Sequence, residues 1–333
     1  MRIGVVGVGR IGAFHASTLK GLPAIDQVAV ADVDPDRAAV VAKDLEVEHV
    51  ADIDALLASG LDGLVITAAT SAHAGLIGRA VTAGVTTFCE KPVAHDLATT
   101  LDVVENVEAS DVKVQIGFQR RFDAGYRRAA EAVRAGELGW LHSIRANTND
   151  AYPPPAEYLP TSGGFFRDCT VHDFDIIRFV TGREVTSVYA VGTDRGEPMF
   201  VAAGDIAAAA ALLTLEDGTF VSVSGTRYNA AGHDVRMELL GSGGSLAVGL
   251  DEHTALRSAE QGVAFPPGPA HPTFMDRFHA AYVAELSAFT EVVAGTREVP
   301  CTVRDALQAF RVAEACELSR AEGRVVRLDE VAS

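Results

Sequence analysis

The glycine-rich segment Gly7-Val8-Gly9-Arg10-Ile11-Gly12 constrains the fold of this chain more than any other stretch of its sequence. It follows the apolar run Ile3–Val6 and leads into Ile11–Lys20, where apolar residues recur at helical spacing. Glycines between a strand and a helix permit a tight turn and let backbone N–H groups approach a pyrophosphate at the positive end of the helix dipole. Such turns also occur for packing reasons alone. The flanking strand and helix patterns here favour a dinucleotide-binding unit.

The first 120 residues continue this alternation of short strands and helices. Each strand candidate is an apolar or β-branched run of strand length, and each helix candidate has apolar residues at helical spacing. This alternation predicts an α/β fold with a doubly wound parallel sheet, the Rossmann arrangement. The further strand candidates are Val28–Ala31, Gly63–Thr67, Thr86–Cys89 and Val112–Ile116, and the further helix candidates are Pro35–Asp44, Ala72–Ala83 and Asp96–Glu108.

Asp32 indicates which dinucleotide the sheet binds. It follows the second strand candidate, twenty residues after Gly12, where an acid accepts hydrogen bonds from the adenosine ribose hydroxyls. A carboxylate at this place repels the 2′-phosphate of NADP, so NAD is favoured. Arg37 leaves the choice partly open, because a nearby cation can accommodate that phosphate. It fits a solvated residue in the first turns of a helix equally well.

The pattern changes after about residue 120. Strand patterns dominate from Glu184 to about Phe265, and the Asp217-Gly218 pair between two apolar runs is a strong hairpin signal, followed by a second turn at Gly241–Gly244. Helices are predicted at Tyr126–Ala135, His172–Thr181, Met275–Ala294 and Val303–Glu322. A chain of 333 residues usually forms two domains. We therefore predict a Rossmann domain over 1–120 and an α+β domain with a large, mostly antiparallel sheet over 121–333.

Composition argues against several classes of function. The formal net charge of −17 argues against nucleic-acid binding, which needs a basic surface. The longest apolar run, Ile206–Leu213, has eight residues, far below the ~18 needed to span a membrane. The four cysteines are widely spaced and contain no Cys-x-x-Cys pair, which indicates reduced thiols in a cytoplasmic protein. No spacing of His, Cys, Asp or Glu predicts a metal site.

Three polar residues are candidates for catalysis. Lys91, in Glu90-Lys91-Pro92, follows a strand candidate, and open α/β sheets bind ligands at the carboxyl ends of their strands. Asp168 and His172 are four residues apart, so a helix places them on one face, where a carboxylate can orient an imidazole as a general base requires. Spacing alone leaves plainer alternatives open, namely an ordinary turn at Lys91 and a helix-surface pair at the other two residues.

Together these elements resemble the Gfo/Idh/MocA oxidoreductase family, and within it the inositol 2-dehydrogenase-like members. The resemblance extends over essentially the whole chain. It rests on the glycine motif, Glu90-Lys91-Pro92, the segment Ile116–Asp123, the block Gly163–Asp173 and the helices predicted in the last third. It implies an NAD-dependent dehydrogenase that oxidises a secondary alcohol of a cyclitol or sugar to the ketone. The implied roles are proton removal by His172, orientation of that ring by Asp168, and alkoxide stabilisation by Lys91, whose bond to proline is typically cis in this family.

The resemblance also assigns binding residues. For the cofactor, NAD, they are Gly7, Gly9, Arg10, Ile11, Gly12, Asp32, Val33, Arg37, Ala68, Thr70, His73, Glu90, Lys91 and Gln119. For the substrate they are Lys91, Arg121, Asn147, Asn149, Tyr152, Asp168, His172 and His233. The chain departs from the family pattern at Ala69, where relatives commonly carry proline, and at His233, where they often carry tyrosine. These departures leave the particular cyclitol or sugar open.

Two other functions remain possible from the sequence. One is a non-catalytic dinucleotide-binding regulator, although a regulator has little reason to retain Lys91, Asp168 and His172 together. The other is an NADP-dependent reductase of a keto-sugar. A sheet covered by helices on one face leaves its other face to be buried, so we also expect a homodimer or homotetramer formed through the C-terminal sheet.

Overall fold

The computed structural model describes residues 1–331. Its N-terminal part contains the strands β1 (Arg2–Val6), β2 (Gln27–Ala31), β3 (Glu48–His49), β4 (Gly63–Ile66), β5 (Thr86–Glu90) and β6 (Val114–Gly117). They form one sheet in the order β3-β2-β1-β4-β5-β6, and every neighbouring pair is parallel. This is the strand order of dinucleotide-binding doubly wound folds, so the predicted Rossmann sheet is confirmed.

Five helices connect these strands: α1 (Arg10–Gly21), α2 (Pro35–Leu45), α3 (Ile53–Ala58), α4 (Thr70–Ala83) and α5 (Leu97–Glu108). Asp34, Asp52 and Asp96 each accept a backbone N–H at the start of α2, α3 and α5, respectively. A cap of this kind contributes about 1 kcal/mol. Helix α3 and strand β3 were not predicted, because six residues of helix and two of strand are too short to show a period.

The second sheet has seven strands: β7 (Leu141–Asn149), β8 (Val185–Thr193), β9 (Ala208–Leu215), β10 (Phe220–Thr226), β11 (Asp234–Gly241), β12 (Ser245–Val248) and β13 (Val326–Arg327). Their order is β12-β11-β7-β10-β9-β8-β13, and only β7 and β10 pair in parallel. The mostly antiparallel sheet is therefore confirmed. Both predicted turns form hairpins, β9 to β10 at Asp217-Gly218 and β11 to β12 at Gly241–Gly244.

The remaining helices are α6 (Ala124–Arg134), α7 (Val171–Thr181), α8 (Pro198–Ala203), α9 (Phe274–Arg277), α10 (His279–Val293) and α11 (Val303–Glu322), with 3-10 turns at Gln119–Phe122, Leu159–Thr161 and Leu328–Val331 and a π-helical turn at Phe166–Thr170. The predicted strand pattern is wrong over 249–265, which forms turns and irregular segments. Glycines with positive φ at Gly249 and Gly262 interrupt any ladder there. The short helix α8, which also interrupts the strand pattern, was not predicted.

The predicted helix Met275–Ala294 is broken at Phe278, which separates α9 from α10. Phe278 has φ −109° and ψ 15°, and its side chain is 1% exposed. The guanidinium carbons of Arg120 and Arg277 lie 5.6 and 4.6 Å from the centroid of its ring. Burial of this large aromatic ring close to two cations outweighs the local preference for a continuous helix.

The chain divides into two compact units. The first consists of Met1–Gln119 and Tyr282–Leu307, and the second, within the described residues, of Arg120–Ala281 and 308–331. The predicted boundary near residue 120 agrees with this division, but the place of 282–307 in the first unit was not predicted. Leu286 and Phe289 of that segment are fully buried in one apolar cluster with Ile3, Val65 and Phe88 of the sheet. Burying a large apolar side chain contributes roughly 1.5–3 kcal/mol, and this burial stabilises 282–307 within the first unit.

No helix within residues 1–331 combines the length and the apolarity that crossing a bilayer requires.

Candidate active site

The glycine loop between β1 and α1 has the backbone geometry that its sequence predicts. Gly7 has φ +91°, and a Cβ there would lie 2.4 Å from Ala68 Cα. A Cβ on Gly12 would lie 1.9 Å from the carbonyl oxygen of Gly7, so only glycine fits at either place. Gly9 differs from these two glycines, because a Cβ on it would meet no atom within 4 Å. The loop is therefore tight on its protein side and open at the N-terminus of α1.

This open end fits the pyrophosphate of a dinucleotide. Gly9 is the N-cap of α1 and has no side chain to bond the first-turn N–H groups, which have no partner within a helix. Arg10 and Ile11 begin the helix at this end. The hydroxyl of Thr67 donates to the carbonyl oxygen of Gly7 at 2.6 Å and holds the loop against the end of β4. An anion at this place is stabilised by the helix dipole and by backbone donors.

Asp32, at the end of β2, is held beside the same loop. Its Oδ2 accepts from the backbone N–H of Val8 at 2.7 Å, and its Oδ1 accepts from the N–H of Asp34 at 2.9 Å. Arg37 Nη1 lies 3.5 Å from Asp32 Oδ1, while the Arg37 side chain is 50% exposed. Val33, between them, is fully exposed. The carboxylate is thus fixed beside the glycine loop, and its contact with the ribose of a dinucleotide stays a prediction.

His73 of α4 is buried, and its ring nitrogens lie within hydrogen-bond distance of two loops of the first unit. Its Nδ1 is 2.7 Å from the carbonyl oxygen of Pro92, and its Nε2 is 3.0 Å from that of Ala68. Burial lowers the pKa of His73 and outweighs the two carbonyl hydrogen bonds, which by themselves favour the charged ring. Thr70 begins the same helix. Cofactor contact by Ala68, Thr70 and His73 stays a prediction.

Lys91 directly follows β5, and its peptide bond to Pro92 is cis, as the family resemblance implies. Glu90, the last residue of β5, lies beside an unexpected partner: the Nε2 of His15 on α1 is 2.6 Å from Glu90 Oε1. His15 is fully buried among the rings of Phe14, Phe88 and Tyr282. His15 was not among the site residues predicted from the sequence; its helical spacing with Ala16 and Leu19 indicated a buried position but not this partner.

Gln119 follows β6 and is 4% exposed. The next two residues form buried ion pairs within the second unit. Arg120 donates to Asp173 at 2.7 Å and to Thr148 Oγ1 at 2.9 Å. Arg121 donates through Nε and Nη2 to the two oxygens of Asp175 at 2.8 and 2.6 Å. Arg121 therefore takes part in a buried two-point ion pair, and its contact with substrate stays a prediction.

Asp168 lies in the π-helical turn and His172 in the first turn of α7, within one helical segment. Both oxygens of the Asp168 carboxylate have donors: the hydroxyl of Tyr158 donates to Oδ1 at 2.9 Å, and Nη2 of Arg227 donates to Oδ2 at 2.8 Å. Partial burial and the Asp168 charge raise the pKa of Tyr158 well above its usual range, so this hydroxyl remains a donor.

Arg227 was not predicted as a site residue. Through Asp150 it connects Asp168 to His233, a predicted substrate residue. Its Nη1 donates to Asp150 Oδ2 at 3.2 Å, and the other oxygen of Asp150 lies 3.5 Å from Nδ1 of His233. Burial opposes a charge on Arg227, but Asp168 and Asp150 outweigh it and raise its pKa above the ordinary value. Burial likewise opposes a charge on Asp150, yet His233 and Arg227 hold its pKa below the usual range.

The other predicted substrate residues lie on β7 and in the loop that follows. Asn147 and Asn149, two apart on β7, each point Nδ2 at Asp234 Oδ2, at 3.1 and 3.3 Å. Tyr152 is 62% exposed. Among residues 1–331 no group of three or more His, Cys, Asp or Glu side chains is arranged to hold a metal ion.

Comparison with known proteins agrees with the class that these features define. A family model described as an oxidoreductase family with an NAD-binding Rossmann fold matches residues 1–118, and a model of the GFO/IDH/MocA C-terminal domain matches residues 126–247. The protein is an oxidoreductase with an NAD-binding Rossmann domain. It belongs to the GFO/IDH/MocA family.

Individual relatives extend over nearly the whole chain. A myo-inositol dehydrogenase of Streptomyces leeuwenhoekii is 37% identical over 98% of this chain and 99% of its own length. The scyllo-inositol 2-dehydrogenase (NAD(+)) of Bacillus subtilis is 35% identical over 99% of this chain and 96% of its own. A crystal structure of scyllo-inositol dehydrogenase from Lactobacillus casei, with bound NAD(H) and scyllo-inositol, is 30% identical, has a TM-score of 0.88 and covers 99% of both chains.

Proposed function

We propose that this protein is an NAD-dependent dehydrogenase that oxidises a ring-carbon secondary alcohol of an inositol to the ketone, as a myo-inositol 2-dehydrogenase does. The observation that carries this proposal is that Lys91, Asp168 and His172 all stand in a chain that matches inositol dehydrogenases from end to end. We assign cofactor binding to the domain predicted over 1–120, and substrate binding and oligomerisation to that over 121–333.

The cofactor-binding residues of the first unit fit NAD on structural grounds. The open N-terminus of α1 at Gly9 offers backbone donors to the pyrophosphate, and the fixed carboxylate of Asp32 offers acceptors to the ribose hydroxyls. NAD⁺ held by these residues would supply the acceptor for the hydride of the carbinol carbon. A negative charge at Asp32 disfavours a 2′-phosphate, which supports NAD over NADP.

The chain's own residues supply the proton chemistry. We assign to His172 the removal of the hydroxyl proton, and to Asp168 the orientation of that imidazole. Lys91 donates a hydrogen bond to the same substrate oxygen and stabilises the negative charge that develops there. Arg121, Asn147, Asn149, Tyr152 and His233 remain our candidates for contacts to the other hydroxyls.

The test is absorbance at the reduced-nicotinamide band with NAD⁺ and then NADP⁺, against myo-inositol, scyllo-inositol, glucose and xylose. Turnover of an inositol with NAD⁺ supports the proposal. Turnover of a pyranose instead keeps the mechanism and changes the substrate. Activity only with NADP⁺ and a keto-sugar identifies the reductase, and tight NADH binding without any turnover identifies a regulator.

We further propose that the protein forms a homodimer or homotetramer through the second sheet. Tyr189 and Leu212 are cross-strand partners on β8 and β9, and they are 39% and 56% exposed. Val191 and Phe220 are exposed on the same face. Apolar area of this kind is usually buried by association. Light scattering of the purified protein tests this directly, and Leu212→Glu is expected to yield monomers; a monomeric wild type contradicts it.

A cytoplasmic location is also proposed. All four cysteines are buried thiols, which suits a reducing compartment. Thiol titration of the denatured protein, purified without reductant, is expected to give about four reactive thiols per chain, whereas a disulfide would reduce that number.

A further inference from the structure

We propose that Arg227 is a positioning residue of the catalytic site: it holds the Asp168 carboxylate in place and balances its charge, and thereby sets how strongly Asp168 acts on His172. The inference rests on the proposed function, in which Asp168 orients the catalytic base.

Arg227 is anchored where it can act on Asp168. It directly follows β10, and its backbone N–H donates to the carbonyl oxygen of Ala207 at 2.8 Å. The side chain is 5% exposed, and its guanidinium carbon lies 5.2 Å from the centroid of the Phe165 ring. A guanidinium with a fixed backbone and a ring against it has little rotational freedom, so its N–H groups point in set directions.

Those directions are toward two carboxylates. One arm donates to Asp168 at 2.8 Å and the other to Asp150 at 3.2 Å. Tyr158 occupies the second oxygen of Asp168, so this carboxylate is held from both sides. A carboxylate that orients a catalytic imidazole must itself be held, because a misplacement of about 1 Å can cost a hundredfold in rate.

The charges in this cluster show what Arg227 does besides holding. Asp150 and Asp168 carry two negative charges, and Arg227 supplies one positive charge between them. His233 lies against Asp150, and the thiol of Cys169 is buried beside these charged groups. With Arg227 present, part of the Asp168 charge is neutralised. Without it, the full carboxylate charge acts on neighbouring groups and favours a protonated His172.

Two substitutions at Arg227 should therefore differ in their effects on the pH profile and on kcat. Arg227→Gln removes the positive charge, so the pKa of His172 is expected to rise by about one unit. Because His172 must be neutral to accept a proton, the midpoint of the acid limb in the pH profile of kcat/KM shifts to higher pH by the same amount. Arg227→Lys keeps the charge but loses the planar two-armed geometry, so kcat falls on the order of tenfold to a hundredfold while the limb stays in place.

The experiment uses the full-length protein and two readouts. The first is the pH profile of kcat and kcat/KM with NAD⁺ and the best inositol. The second is an NMR titration of ¹³C-histidine-labelled protein, in which the His172 resonance is assigned by its loss in His172→Gln. Arg167→Gln is the matched control: Arg167 precedes Asp168 and forms a partly buried two-point ion pair with Glu314, so its loss is expected to lower Tm without moving the acid limb.

Each outcome decides the inference. Support requires the upward shift in Arg227→Gln and the kcat loss at constant limb in Arg227→Lys. The inference is overturned if both variants keep kcat within twofold and leave the His172 titration unmoved, or if Arg227→Gln loses activity without a shift of the His172 titration. If Arg227→Gln does not fold, Arg227→Met, which removes the same charge and keeps more of the buried side-chain volume, takes its place. A wild type that turns over no polyol contradicts the proposed function instead, and the titration then still decides whether Arg227 acts on His172.

Discussion

The imidazole Nε2 of His15 lies 2.6 Å from Oε1 of Glu90, and this contact joins the cofactor helix α1 to the residue before Lys91. His15 is fully buried, whereas the Glu90 side chain is 16% exposed. A buried carboxylate that loses its hydrogen-bond donor costs the full desolvation of the group, about 1–3 kcal/mol. The contact therefore stabilises the first unit at the strand end that bears the predicted catalytic lysine.

His15→Phe tests this contact. We expect it to lower the free energy of unfolding in urea by about 1–3 kcal/mol, because Glu90 is left without its donor. In the double variant with Glu90→Gln, the two losses should not add, since the contact is already absent. Additive losses would mean that the two residues do not interact. Lys20→Gln, on an exposed turn of the same helix, is the control and should change stability little.

Alanine substitutions at two glycines of the cofactor loop should differ in their effects on stability and on NADH binding. Gly12→Ala places a Cβ 1.9 Å from the carbonyl oxygen of Gly7, so it should lower Tm and abolish NADH binding together. Gly9→Ala meets no atom within 4 Å, so it should leave Tm nearly unchanged and still weaken NADH binding, because its methyl group projects at the open end of α1. Thermal unfolding and NADH fluorescence distinguish the two. Unchanged NADH affinity in Gly9→Ala would count against a pyrophosphate at this place.

Asp32 and Arg37 together should determine the choice of cofactor. Asp32→Ser removes the carboxylate that accepts from the ribose hydroxyls, and we expect NADH affinity to fall on the order of tenfold. The same variant should gain affinity for NADPH, because Arg37 loses one of its two acidic neighbours, Asp32 at 3.5 Å, keeps only Asp34 at 3.3 Å, and can pair with the 2′-phosphate. The double variant with Arg37→Ser should not show this gain. Equal NADPH affinity in both variants would exclude a role for Arg37.

His73 should make stability depend on pH. Its pKa in the folded protein is lowered from the ordinary value of 6.5, so the unfolded chain binds a proton that the folded protein resists. The stabilisation is present above about pH 6.5 and is lost as the pH falls toward the folded pKa, with a slope of up to about 1.4 kcal/mol per pH unit. Urea unfolding between pH 5 and 8 measures it, and His73→Gln should flatten that part of the curve. An identical curve in the variant would assign the effect to other groups.

The fold could be predicted largely because its signals are local. The strand–glycine–helix pattern around Gly7 and the hairpin at Asp217-Gly218 each depend on a few adjacent residues, and both appear as predicted. The separation of α9 from α10 at Phe278 and the place of 282–307 in the first unit both depend on packing between segments that are distant in the sequence. No periodicity in the sequence reports such contacts.

The same distinction explains the candidate site. Gly9, Asp32 and Lys91 are recognisable because each has a fixed place relative to a strand end. Arg227 is not, because its partners Asp168 and Asp150 lie 59 and 77 residues away in the chain. His15 was missed for the same reason, since Glu90 is 75 residues away. Both residues act on a predicted site residue through a contact that only the folded chain creates.

The central claim, oxidation of an inositol ring carbon with NAD⁺, is tested most directly by isotope transfer. The protein is incubated with NAD⁺ and myo-inositol that carries deuterium on its ring carbons, and the reduced cofactor is analysed by mass spectrometry. Our account predicts one deuterium in each reduced cofactor molecule, and a drop in turnover of at least a hundredfold in His172→Gln and in Lys91→Met, with NADH binding retained in the former. Reduced cofactor without deuterium, or none above the enzyme-free control, would contradict it.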